Sequence, residues 1–162
     1  MITLERLKKI LHYDSETGVF TWKIYRRHNV GVGSTAGSPS NKGYIQIKVD
    51  GVSYKAHRLA WFYVHGRWPV EQIDHINQIK GDNRICNLRE ATNSQNVQHQ
   101  TIRSDNTSGY KGLSWHKLIG KWYATITVEG KNLYKSFSDK DDAVAWLKAT
   151  RESLHGEFTC HG

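Results

Sequence analysis

Residues 98–109 read QHQTIRSDNTSG, twelve residues with no apolar periodicity. A stretch this polar has no face to bury, so it reads as a linker. It splits the 162-residue chain into two apolar-patterned parts, each of which must build its own small core. Six Trp, eight Tyr and four Phe supply the bulk for such cores. No apolar run approaches the ~20 residues of a membrane span, so the chain is expected to have no membrane partner. The start, MITLERLKKIL, lacks the apolar centre of a secretory signal, and a cytoplasmic location is expected. The two cysteines, Cys86 and Cys160, form no CxxC, which argues against a disulfide scaffold and a Cys-rich zinc finger.

In the first part, Ile2, Leu4, Leu7, Ile10 and Leu11 recur at helical spacing over residues 2–12. A turn at 14–18 leads into a strand at 19–25, and the Gly/Ser/Asn-rich segment 28–42 reads as a loop. Residues 43–49 alternate with period two and meet Asp50-Gly51, a hairpin signal that Val52–Ala56 closes. The run HRLAWFYVH from His57 to His65 predicts a helix that stops at Gly66. The second part predicts strands at 110–116, 121–128 and 133–137. A turn over Glu129-Gly130-Lys131-Asn132 joins the last two, and a helix from about Lys140 to Leu154 follows, its stripe formed by Ala143, Val144, Leu147 and Leu154. The fold class is therefore α+β.

The chemistry lies in IDHINQIKGDNRICNLREATNSQN, residues 73–96. A carboxylate and an imidazole are adjacent at Asp74-His75. Asn87 and Asn96 follow beyond a Gly81-Asp82-Asn83 loop. Phosphodiester hydrolysis needs a base that works near neutral pH, which His75 offers. It also needs a hard cation on oxygen ligands, which Asp74 and Asn96 offer.

This stretch, with its D-H-I-N…D-N-R…N-L-R…N-S-Q-N string, resembles the ββα-metal motif of HNH nucleases, in the variant common in phage homing endonucleases. HYDSETGVFTWK, NKGYIQIKVDG and AHRLAWFYVHGRWP extend the resemblance over about residues 1–98. It implies that His75 is the general base and Asp74 the acidic metal ligand. Asn87 would pin the loop between the two strands, and Asn96 would be the second metal ligand, standing where a last His would be. Oxygen-only ligands favour Mg²⁺ or Mn²⁺ over Zn²⁺. His57 reads as structural and His99 as a solvated helix residue.

The string from Thr107 to Leu154, with YKGLSW, GKWYATI and a Lys-Ser-Phe-Ser step into a helix, resembles the Apetala-type, ethylene-response-factor DNA-binding domain. That resemblance implies a three-stranded antiparallel sheet on duplex DNA with one helix packed behind it. On the second strand, Trp122, Ala124, Ile126 and Val128 should face the helix. Candidate DNA contacts are Lys111, Ser114, His116, Lys121, Tyr123, Thr125, Thr127, Lys131 and Tyr134. Plant members carry Arg at several of these places, so base specificity does not transfer.

The expected organisation is an HNH nuclease domain at 1–97 (motif 73–96), a linker at 98–106 and the DNA-binding domain at 107–158. The net charge of +8 suits a polyanionic partner, here double-stranded DNA. Residues 107–158 carry eight Lys+Arg against six acids. The acids sit mostly on or near the helix, so the positive charge is expected on the sheet. Most of the surplus lies earlier, with Lys23, Arg26, Arg27, Lys42, Lys48, Lys55, Arg58 and Arg67 among its carriers. The reading is a site-directed DNA endonuclease of homing type that uses one divalent metal and is anchored by its C-terminal module. A single copy supplies one active site, and the oligomeric state stays open, a monomer included. The alternatives are a DNA-binding regulator with an inactive nuclease fold and a non-specific phage nuclease.

Overall fold

The computed structural model describes all residues except 27–29, 129, 156–157 and 161–162. Arg27, Glu129 and Glu157, used in the sequence reading, lie outside the described residues. The chain folds as two units, Met1–Ala91 and Thr92–Gly162. Among the described residues no helix is long and apolar enough to cross a membrane.

In the first unit, helix α1 (Leu4–Ile10) starts at Thr3, whose hydroxyl accepts from the Arg6 amide. It stops short of the helix expected over 2–12. Leu11 leaves to pair with Trp22, and strands β1 (Leu11–Tyr13) and β2 (Phe20–Trp22) form a two-stranded ladder. Cross-strand pairing with a large aromatic overrides the helical spacing of Leu11. Strands β3 (Ser38–Pro39), β4 (Ile45–Val49) and β5 (Val52–Lys55) make a second sheet in the order β3-β4-β5. Asp50 and Gly51 both take positive φ at the β4–β5 turn, as the Asp-Gly signal requires. Helix α2 (Ala56–His65) ends on a left-handed Gly66. Its inner face, Leu59, Ala60 and Phe62, joins Leu7, Ile10, Leu11, Phe20, Trp22, Ile47 and Val49 in one core.

Strands β6 (Gln72–His75) and β7 (Leu88–Ala91) pair antiparallel, and a 3₁₀ turn at Ile85–Asn87 closes the loop between them. Ile73 and Leu88 also belong to this core, so the ladder that carries Asp74 and His75 is anchored in it.

The second unit opens with helix α3 (Asn93–His99). Thr92 and Gln95 form a reciprocal capping box at its start. Strands β8 (Leu113–His116), β9 (Lys121–Val128) and β10 (Lys131–Phe137) form an antiparallel meander, and helix α4 (Lys140–His155) follows. The first strand begins at Leu113, not Tyr110, because Gly112 takes φ +71° and a Cβ there would strike the Thr125 carbonyl oxygen at 2.3 Å. Leu113, Ala124 and Ile126 pack against Ala143, Val144 and Leu147 of α4. The helix covers one face of the sheet, with the alternation expected on β9.

Candidate active site

The β6–β7 register sets Asp74 opposite Arg89 and His75 opposite Leu88. Asp74 is buried, and its Oδ2 accepts from Arg89 Nε at 2.9 Å. The next residue, His75, is buried on the other side of the strand and faces a loop that the chain holds in several places. The Asn87 amide nitrogen donates to Asn77 Oδ1 and to the Asp82 carbonyl. Its oxygen accepts from the Asn77 amide, and all three bonds are 2.9 Å. The Ile76 amide also donates to the Asn87 carbonyl. Asn87 thus ties the two ends of the loop together through these bonds.

Two further fixings of this loop are invisible in the sequence pattern. The Tyr13 phenol donates to the Asn83 carbonyl at 2.7 Å, and burial pushes its pKa up, so it stays a donor. Gly18, at φ +72°, lets the 14–18 turn lie on the Asn83–Arg84 backbone, where a Cβ would clash at 2.4 Å. Asp82 accepts from Arg84 and from Asn77, and the guanidinium beside it holds its carboxyl down to about 2.

Asn83 is the functional candidate that sequence reasoning missed. Its Nδ2 donates to the Gly81 carbonyl, which fixes the amide orientation and turns Oδ1 toward His75 Nε2 at 3.4 Å. An acceptor at Nε2 selects the tautomer with its hydrogen there and leaves Nδ1 as the basic nitrogen. Burial lowers the His75 pKa, so the ring is neutral near pH 7, the state a base requires. The only signal in the sequence was the Gly-Asp-Asn loop string itself.

His57 is structural in its burial, at 4% exposed, but it stands against His75 with ring centroids 5.0 Å apart and planes at 90°. Tyr44 touches both rings, at 5.2 Å from His57 and 6.0 Å from His75. Burial lowers the His57 pKa to about 3, and its Nδ1 is buried with no hydrogen-bond partner among the described residues.

Asn96 lies on α3 in the second unit and is partly buried. His99, on the same helix, is buried, which corrects its reading as a solvated residue. Among the described residues no group of three His, Cys, Asp or Glu could hold a metal ion. Asp74 carries carboxylate oxygen and Asn96 amide oxygen, each by its chemistry a ligand type suited to a hard cation that keeps most of its shell for water and phosphate.

On the second unit, strand register sorts the remaining candidates. Ser114 pairs with Tyr123, His116 with Lys121, and Tyr134 with Thr125, all on the face away from α4. His116 and Tyr123 rings lie 5.4 Å apart, Tyr134 is 73% exposed, and Thr127 donates to Asn132. Two candidates belong elsewhere. Lys131 pairs with Val128 and stands on the helix-side face, because a period of two puts it in line with Leu133. Lys111 shares the parity of Leu113, and its ammonium donates to the carbonyls of Val97, Gln98 and Gln100, each at 2.9 Å. That amine closes the C-terminal end of α3 and is not presented on the sheet. Lys135 also pairs on the helix side, opposite Ala124. Among the described residues the outer face is therefore aromatic and hydroxyl-rich with Lys121 its one lysine, while Lys131 and Lys135 lie on the sheet's other face.

A family model described as HNH endonuclease matches residues 54–98. Protein 3.8 of Escherichia phage T7 is 38% identical over 109 residues, covering 65% of this chain and 90% of that protein. No solved structure matches the chain.

Proposed function

Because the chain belongs to the family of phage T7 Protein 3.8 and carries an HNH endonuclease domain with the ββα-metal fold, we propose that it is a metal-dependent, site-directed DNA endonuclease of the homing type. The observation that carries this reading is the neutral, buried His75 beside the buried Asp74, above a loop that Asn87 ties together. His75 takes a proton from the attacking water through Nδ1 while Asn83 Oδ1 holds Nε2. Water then attacks phosphorus in line, the 3′ oxygen leaves, and the products end in 5′-phosphate and 3′-hydroxyl. Arg89 fixes one oxygen of Asp74. Asp74 and Asn96 would hold the divalent cation, Mg²⁺ or Mn²⁺, which when bound neutralises charge on the phosphate and on the leaving oxygen.

The C-terminal sheet is the anchor in this proposal, an Apetala-type DNA-binding module that meets double-stranded DNA through Ser114, His116, Lys121, Tyr123, Thr125, Thr127 and Tyr134. Aromatic and hydroxyl groups suit base edges and sugar-phosphate contacts. The enzyme would act in the cytoplasm of a bacterial host.

Supercoiled plasmid incubated with wild-type or His75→Ala protein, in Mg²⁺ or in EDTA, tests the reading. Wild type should relax the plasmid only with metal, and the substitution should slow it about 10²–10⁴-fold, the usual worth of a positioned base. No metal-dependent relaxation would leave the DNA-binding regulator as the better reading. Cutting at many sites would favour a non-specific nuclease.

A further inference from the structure

Four arginines of the first unit are already neutralised within it. Arg6 pairs with Asp50, Arg67 with Glu90, Arg84 with Asp82 and Arg89 with Asp74. Lys55 and Lys80 differ from them. Both are exposed, and among the described residues neither has a carboxylate partner. Both ammonium groups lie over the Tyr44 ring, at 4.9 Å and 5.3 Å from its centroid. Three segments distant in sequence converge here: the approach to β4, the end of β5 and the β6–β7 loop. The Lys80 stem runs over Gly43, where a Cβ would already meet its Cδ at 3.8 Å.

Tyr44 is also the ring that touches His57 and His75. The two ammonium groups are therefore at most about 10 Å apart and within about 12 Å of the His75 ring. Two like charges held this close, neither paired with a carboxylate among the described residues, are suited to a polyanion. Phosphates of one DNA strand rise by about 3.4 Å per step and are also offset around the helix, so this separation suits two neighbouring phosphates. A lysine ammonium is a compact point charge that grips phosphate without demanding a fixed fork geometry.

We propose that Lys55 and Lys80, seated on Tyr44, form a clamp for DNA backbone phosphates next to the bond that the His75-activated water attacks. The clamp rests on the endonuclease reading for its location and adds the residues of the nuclease unit that hold the strand. It contributes affinity and position without sequence information.

The test is the salt dependence of binding to a DNA duplex in EDTA, where nothing is cut, with full-length wild type, K55Q, K80Q and K55Q/K80Q. Each phosphate contact contributes about 0.9 to the slope of log K against log salt. Each single variant should lose about that much and the double variant nearly twice it. K55R/K80R, which keeps both charges, should retain the wild-type slope. A double variant with the wild-type slope, or a wild type that does not bind DNA, would overturn the clamp. Metal-dependent plasmid relaxation by the same wild-type preparation decides the endonuclease reading separately, so the two can fail apart. Thermal melting of K55Q/K80Q should match wild type, since both side chains are exposed, and K55R/K80R carries the comparison if it does not.

Discussion

His57 shows how a single buried ring ties stability to pH. Its folded pKa is about 3 against 6.5 for an ordinary histidine, and the largest cause is burial. The unfolded chain takes up a proton that the folded chain refuses. Stability on this account is intact above pH 6.5, falls as the pH drops through 6.5, and levels off near 3. The loss at pH 5 is about 2 kcal/mol. His57→Phe keeps the ring against His75 and Tyr44 and removes an unpartnered buried nitrogen. The urea midpoint of this variant should fall less between pH 7 and pH 5 than that of wild type, by about 2 kcal/mol of stability. Asp82 and Glu90, both held down to about 2, do not blur this window, because their contributions are lost only in more acid solution. An equal pH response in both proteins would show that the ring accepts a proton where it stands. The sequence showed His57 only as the first residue of an apolar helical run. Its neighbour across the strand was set by tertiary packing.

At the scale of elements, the short helix α3 has seven residues, too few to persist on propensity alone. Its start is held locally by the Thr92–Gln95 capping box. Its end is held from a distance, because the cap comes from Lys111. That ammonium is half-buried, and burial lowers its pKa, so its three carbonyl partners are what make the position tolerable. Arg151 of α4 donates in turn to the Lys111 carbonyl, which joins three elements of the second unit. Lys111→Met keeps the stem and removes the donor. It should destabilise this unit by about 1–3 kcal/mol, the cost of partly buried groups left unpaired. Hydrogen exchange should show faster opening of the α3 amides in that variant. Unchanged protection there would mean that the helix is held by something other than this cap. The same contact explains why α3 groups with the C-terminal unit, although the sequence reads it as the last element of the nuclease motif.

Across the whole molecule, charge is unequally divided. The chain through Ala91 carries fourteen Lys+Arg against eight acids, and the rest carries nine against seven. The nuclease unit therefore holds most of the attraction for a polyanion, while the outer sheet face offers mainly aromatic and hydroxyl groups. In the proposed reading the single D-H…N…N constellation of the sequence gives one copy one active site. A single site cuts one strand at a time. Supercoiled plasmid at low enzyme concentration should pass first to open circle, with linear product appearing only later. Linear product that forms without an open-circle phase, and with a rate rising as the square of protein concentration, would show instead that two copies act together.

Some of this was settled by the order of residues alone. Asp50-Gly51 marked a hairpin and residues 73–96 spelled a nuclease motif, because turn chemistry and motif spacing are local properties of the chain. What needed the tertiary structure was every assignment that depends on a distant neighbour. Lys111 and Lys131 stood among the candidate contacts, and only the strand register and the position of α4 showed which face they serve. Asn83 became the partner of His75 through a loop held by Tyr13, Asn87 and the turn at Gly18. Lys55 and Lys80 met over Tyr44 although 25 residues separate them in the sequence. Local pattern encodes which elements form, whereas the environment of a charge or an imidazole is set by whatever packing brings beside it.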